Sequence, residues 1–195
     1  DFDAIQERDT ATLLQFKSMW TDVGSKMGVI SVKIESGSYD MPFSNDYETT
    51  VTFEAYESLP NDLIWELIYV GSTTNSSFDQ ILMSVNYGAA EKGEHKFLME
   101  APYPDVKKIP VAELIGATKI ILKAKYNGQE CLTIEWPVIM KSPAANIDEL
   151  LELPLSNPVM RKLNLKRRIN MHQYTVTAHE IDWEGGNDFD MENAQ

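Results

Sequence analysis

Trp65-Glu66-Leu67-Ile68-Tyr69-Val70-Gly71-Ser72, followed after a polar loop (Thr73 to Ser77) by Asp79-Gln80-Ile81-Leu82-Met83-Ser84-Val85, is the stretch that decides the fold. Aromatic and β-branched residues crowd the first run, Gly71-Ser72 supplies a turn, and a second apolar run returns. Ile64 to Val70 and Ile81 to Tyr87 therefore read as strands. Working back, Pro60-Asn61-Asp62 reads as a turn and Thr49 to Tyr56 as a strand. From Gly28 the period is two, with Val29, Ser31 and Lys33 alternating against Ile30, Val32 and Ile34. Working forward, Glu91-Lys92-Gly93 is a turn and His95 to Glu100 a strand. Pro102, Pro104 and Pro110 make the next connection a loop, with a short helical turn at Val111 to Leu114. Thr118 to Tyr126 and Glu130 to Met140 flank Asn127-Gly128, the strongest hairpin signal in the chain. Many short strands separated by turn residues predict an all-β antiparallel sandwich with short helical segments in its connections.

The flanks differ in texture. Leu13, Phe16, Trp20 and Val23 recur at helical spacing, Asp9 could cap that helix and Gly24 stop it. Met27-Gly28 then reads as a fresh start, so residues 1–26 are either a native extension or a fused segment. Residues 27–184 form the expected sandwich domain, helical and irregular after Pro143, with a last strand expected from Tyr174 to Trp183. The basic stretch Arg161 to Arg168 reads as a solvated segment, and the acidic tail 185–195 as disordered.

The chain of 195 residues carries a net charge of −13, which repels nucleic acid and anionic membrane and attracts basic partners. No apolar run approaches the length of a membrane span and no leader pattern occurs, which predicts a soluble, unexported protein. Cys131 alone permits no internal disulfide and reads as a small strand residue. His95, His172 and His179 are scattered, and there is no phosphate loop, H-E-x-x-H or nucleophile elbow. The expectation is a non-catalytic protein without cofactor or metal.

The opening motif W-x-x-x-Y-V-G-S…D-Q-x-L-x-S-V is accompanied, in order, by Val51-x-Phe53-Glu54, Asp62-Leu63-x-Trp65, Ile109-Pro110, Gly116-x-Thr118 and Tyr126-x-Gly128-Gln129-Glu130. Leu165-x-Arg167-x-Ile169, Val176-Thr177 and Ile181-Asp182-Trp183-Glu184 complete the set. With this order and spacing, from Met27 to Glu184, the chain resembles the anti-silencing function family of histone chaperones. The resemblance implies an immunoglobulin-like sandwich in the nucleus that binds the histone three–four dimer and passes it to chromatin assembly factors. It places Asp79 and Glu113 as acidic groups and Val70 and Ile121 as apolar groups on the histone-three face. Val176 and Thr177 fall on the strand that the histone-four tail extends. Phe53, Asp62, Leu63, Val85 and Tyr87 lie where assembly factors dock short basic peptides.

This chain departs from the family on the histone face. Lys119 stands at the family's central valine, Thr133 at a nearby arginine and Trp136-Pro137 at its tandem tyrosines. Alternation turns Lys119, Ile121, Lys123 and Lys125 outward. A lysine covered by a partner helix and left unpaired costs several kcal/mol in order of magnitude, and three outward lysines repel a basic partner. Two expectations follow. The acidic, apolar-faced helix of residues 1–26 could dock on this groove. Alternatively, the sandwich is an adaptor whose lysine-bearing face takes an acidic or helical non-histone protein.

Overall fold

The computed structural model describes residues 17–34 and 40–185. Among these, the strands are β1 (Met27–Ile34), β2 (Met41–Pro42), β3 (Tyr47–Ala55), β4 (Leu59–Tyr69), β5 (Gln80–Ala90), β6 (Gly93–Ala101), β7 (Gly116–Tyr126), β8 (Gln129–Lys141), β9 (Lys166–Ile169) and β10 (Thr175–Ala178). Helices are short: α1 (Lys17–Asp22), α2 (Ile147–Leu151) and α3 (Asn157–Leu163), with single 3₁₀ turns at Ser76–Phe78, Val106–Lys108 and Val111–Glu113. All pairings are antiparallel. One sheet runs β1-β3-β6, the other β2-β9-β8-β7-β4-β5, with β10 also pairing β8.

Period-two patterning produces this directly. Along β7, Thr118, Ile120, Leu122, Ala124 and Tyr126 are buried, while Lys119, Ile121, Lys123 and Lys125 lie on the opposite face. Trp65, Leu67 and Tyr69 of β4 and Ile134, Trp136 and Val138 of β8 join them across from Val51 and Phe53 of β3. Asn127 and Gly128, both at positive φ (48° and 76°), form the expected two-residue hairpin turn. The β5–β6 turn carries the chain from one sheet to the other, since β5 pairs with β4 and β6 with β3.

Several local expectations are corrected. Pro60-Asn61-Asp62 is not a turn but lies within β4, where the register against β5 shifts between Leu59 and Leu63. The bulge is held from below: Asn61 donates to the Tyr126 hydroxyl from its backbone (3.3 Å) and side chain (3.2 Å), and Asn127 N donates to Asp62 O (3.0 Å). The last strand spans only Thr175–Ala178, because the backbone of Asp182 is clamped by both ends of the Gln129 amide (2.9 and 3.1 Å) and leaves the sheet.

The basic stretch is solvated at Arg161, Lys162 and Arg168 but not at Arg167. It divides between α3 and β9, and Arg167 is fully buried. Its guanidinium lies 3.7 Å from the Tyr47 ring centroid and donates to Phe43 O (2.7 Å) and Asp46 O (3.4 Å). It ties the turn after β2 to the large sheet.

Trp20 is buried too, against Gly28 of β1 and Tyr56. The end of the leading segment thus packs on the three-stranded sheet, not on the lysine-bearing face of the other. Leu13, Phe16, Asp9 and the tail 186–195 lie outside the described residues.

Candidate functional site

The outward face of the large sheet can be read row by row from the strand register. One row runs Ile81, Ile68, Ile121, Glu135 and Thr175 across β5, β4, β7, β8 and β10; the next runs Ser84, Glu66, Lys123, Thr133 and Thr177. Ile81 is 60% exposed beside the half-buried Ile121 and buried Ile68 and Val70, so an apolar strip opens at the β5 side. The expected lysines are present, but none is unpaired. Lys119 meets Glu135 (2.8 Å), Lys123 meets Glu130 (2.9 Å) and Lys125 meets Glu66 (2.8 Å). The face is a mosaic of ion pairs, not a positive stripe.

Asp79 sits at the edge of the apolar strip. Gly71 makes this possible: a Cβ there would lie 2.1 Å from the Phe78 carbonyl oxygen, so only glycine lets the loop close. Burial pushes the Asp79 carboxyl above the usual range, a shift that a hydrogen bond from the Gly71 backbone and the charge of Lys123 oppose. Its Oδ1 is buried and has no hydrogen-bond partner among the described residues.

Glu113 is different. Ser72 Oγ donates to one of its oxygens and Thr73 N donates to the other at 2.7 Å. The Ser72 and Thr73 bonds hold its carboxyl below the ordinary value. Its first role is to brace the Ser72–Thr74 loop beside the strip.

Thr133 joins a small network. It donates to Glu130 (2.6 Å) and contacts His179 Nε2 (3.0 Å), which also lies 3.2 Å from Glu130. Burial alone would raise the Glu130 carboxyl, but hydrogen bonds from Thr133 and Lys123 carry it below the usual range. Along β10, Thr175 and Thr177 are exposed, while Val176 leans inward and packs on the core. Among the described residues β10 is paired on one side only, to β8.

The second group of expected contact residues lies between the free edges of β5 and β6. Phe53 and Leu63 are fully buried beneath this surface. Phe53 stacks on His95 (5.0 Å between centroids) and meets Tyr87 edge-on (5.3 Å); Trp65 and Phe97 complete the cluster. The Tyr87 hydroxyl lies 2.9 Å from His95 Nδ1, and His95 Nε2 lies 2.6 Å from Glu91 O. Val85 and Tyr87 remain half-buried and Asp62 exposed. His95, Phe97, Glu66, Glu130, Glu135 and His179 escaped the sequence reading of the site; their signal lies in cross-strand register, not in any motif.

Among the described residues, no three His, Cys, Asp or Glu side chains converge as a metal site, and no helix is long and apolar enough to cross a membrane. A family profile described as ASF1-like histone chaperone matches residues 25–184. A probable histone chaperone asf-1-like protein of Caenorhabditis elegans is 37% identical over 163 residues, covering 83% of this chain and 63% of that protein. Histone chaperone asf1b of Xenopus tropicalis is 34% identical over 154 residues, covering 79% and 74%. Histone chaperone asf1 of Emericella nidulans is 34% identical over 160 residues, covering 82% and 55%. The chain thus spans little more than half to about three quarters of the length of these relatives. Histone chaperones of this kind bind and do not catalyse, and the match covers nearly the whole sandwich: the chain belongs to the ASF1-like histone chaperone family.

Proposed function

We propose that this chain binds the histone three–four dimer on the outward face of its large sheet and passes it to assembly factors in the nucleus. The observation that carries the reading is the junction of three features on one surface. These are the apolar strip of Ile81, Ile68 and Ile121, the half-buried acidic Asp79 at its border, and the one-sided edge of β10. A helix of histone three would cover the strip and bring a basic side chain to Asp79. The histone-four tail would add to the Thr175–Ala178 edge. Asp62, with Val85 and Tyr87 beside it, would receive the basic motif of an assembly-factor peptide. Salt should weaken both contacts.

The adaptor reading rests on free lysine charge, and each of Lys119, Lys123 and Lys125 is already matched by a carboxylate. The histone reading is therefore favoured. The deciding experiment measures affinity for purified histone three–four dimer at physiological salt. Ile81→Lys, at an exposed position, and Asp79→Arg, at a half-buried one, should each weaken binding at least about tenfold, or 1.4 kcal/mol. Asp62→Lys should leave it unchanged while weakening basic-peptide binding. Unchanged dimer affinity in the first two variants would refute the assignment of this face.

A further inference from the structure

The α3–β9 region holds Arg161, Lys162, Lys166, Arg167 and Arg168 without an intervening acid, an unusual density in a chain of net charge −13. Their fates differ. Arg167 is buried, and Arg168 and Lys141 converge on Asp40 (2.8 and 3.2 Å). Arg161, Lys162 and Lys166 have no carboxylate partner among the described residues.

Of these cations Arg161 lines a cleft of about 400 Å³ between α3 and the turn after β2, and Lys162 and Lys166 are chain neighbours of its lining residues Arg161 and Leu165; the volume is within the range of ligand pockets. Its floor is Phe43, Leu165 and the half-buried Met160; its rim includes Arg161, Asn157 and Asn164. The floor is fixed before any ligand arrives. Phe43 N donates to Leu165 O (2.9 Å), and Arg167 Nη1 holds Phe43 O (2.7 Å). The side-chain amides of Asn157 and Asn164 have no hydrogen-bond partner among the described residues, so they can meet an extended backbone.

We propose that this cleft binds an acidic linear peptide bearing one large apolar side chain. That side chain enters between Phe43, Met160 and Leu165, the peptide backbone bonds to the two asparagines, and flanking carboxylates meet Arg161, Lys162 and Lys166. Charge complementarity selects the ligand: it is opposite in sign to the basic partners of the large-sheet face and the Asp62 site. An apolar floor has no use for a phosphodiester chain, and the net charge of the protein repels one. The site therefore gives the chaperone an acidic partner that it holds at the same time as a histone.

The test uses the full chain and a fluorescein-labelled peptide of aspartate and glutamate with a central phenylalanine. Its counterpart carries alanine at the centre, and a single-stranded oligonucleotide is the third probe. Anisotropy should show saturable binding of the phenylalanine peptide. Arg161→Glu with Lys162→Glu should weaken it at least about tenfold, as should the alanine counterpart. Both substituted residues are exposed, and circular dichroism verifies the fold. Histone affinity should not change. No saturable binding, equal binding of the two peptides, indifference to the double substitution, or preference for the oligonucleotide would each overturn the proposal, without bearing on the histone face.

Discussion

Trp20→Ala tests whether the leading segment belongs to the sandwich. The indole is 2% exposed and packs on Gly28, where an added Cβ would lie 2.5 Å from Trp20 Cδ1 and 2.3 Å from the Tyr56 hydroxyl. Removing a buried indole costs about 3–5 kcal/mol when the site cannot collapse. The lower end applies here, because α1 spans only Lys17–Asp22 and can shift toward the vacated space. Its exit is fixed by Gly24 at positive φ (67°) and by Ser25 N donating to Trp20 O (2.8 Å), which holds the indole over β1. Gly28→Ala attacks the same contact from the other side and should cost about 1–3 kcal/mol by overpacking. Both changes remove one interaction, so the double variant should lose less than the sum of the two. Urea unfolding followed by circular dichroism supplies the three values. Histone affinity of the folded variants should match that of the parent, since the contact lies on the other sheet. A cost below about 1 kcal/mol for Trp20→Ala, or full additivity, would refute the packing. Loss of histone binding at unchanged stability would place the segment on the lysine-bearing face after all.

Arg167→Leu should destabilise by about 3–4 kcal/mol in thermal or urea unfolding, because the Phe43 and Asp46 carbonyls lose charged donors and Tyr47 loses its cation. Asp79→Asn should act in opposite directions on stability and binding. A carboxyl raised by burial disfavours the folded state above its unfolded value of 3.8, so at neutral pH the neutral amide should stabilise the fold while weakening histone affinity. Glu113 and Asp40 are lowered, by Ser72 and by Lys141 respectively, so their contribution is present above the ordinary values of 4.5 and 3.8 and is lost as pH falls through the folded values. Glu113→Gln should flatten the acid limb of the stability profile, read from unfolding midpoints across acidic pH.

The sandwich was legible because alternation, turn residues and the Asn127-Gly128 hairpin all point one way. What the sequence hid is tertiary. The motif Leu165-x-Arg167-x-Ile169 marked Arg167 but not its burial, which rests on the Tyr47 ring and the Phe43 and Asp46 carbonyls. The lysines of β7 were placed on the correct face, but their partners depend on a register that the sequence does not display. The hairpin pairs Tyr126 with Gln129 and Lys125 with Glu130; then a bulge at Cys131 shifts the ladder, so Ala124 pairs with Leu132 and Lys119 with Pro137. Without that shift Glu135 would turn inward and Lys119 would stand alone. The burial of Phe53 and Leu63 was equally hidden, since nothing in one sequence distinguishes a residue beneath a surface from one on it.

The register also resolves the conflict between a basic partner and a lysine-bearing face. An unpaired Lys119 under a helix would cost several kcal/mol. Paired with Glu135 at 2.8 Å, it presents a neutral unit whose covering is far less costly than that of a bare charge. The three pairs are not equivalent. Glu66, with its side chain 11% exposed, was desolvated when the sheet formed, so a partner laid over Glu66–Lys125 adds little. The Lys119 side chain is 52% exposed, and the cost of drying its pair falls on the complex. A partner helix therefore gains most when its apolar side lies toward Ile81, Ile68 and Ile121 and it offers a polar group above Lys119 and Glu135. The Lys119–Glu135 pair therefore sets the polarity that any helix laid on this face has to match.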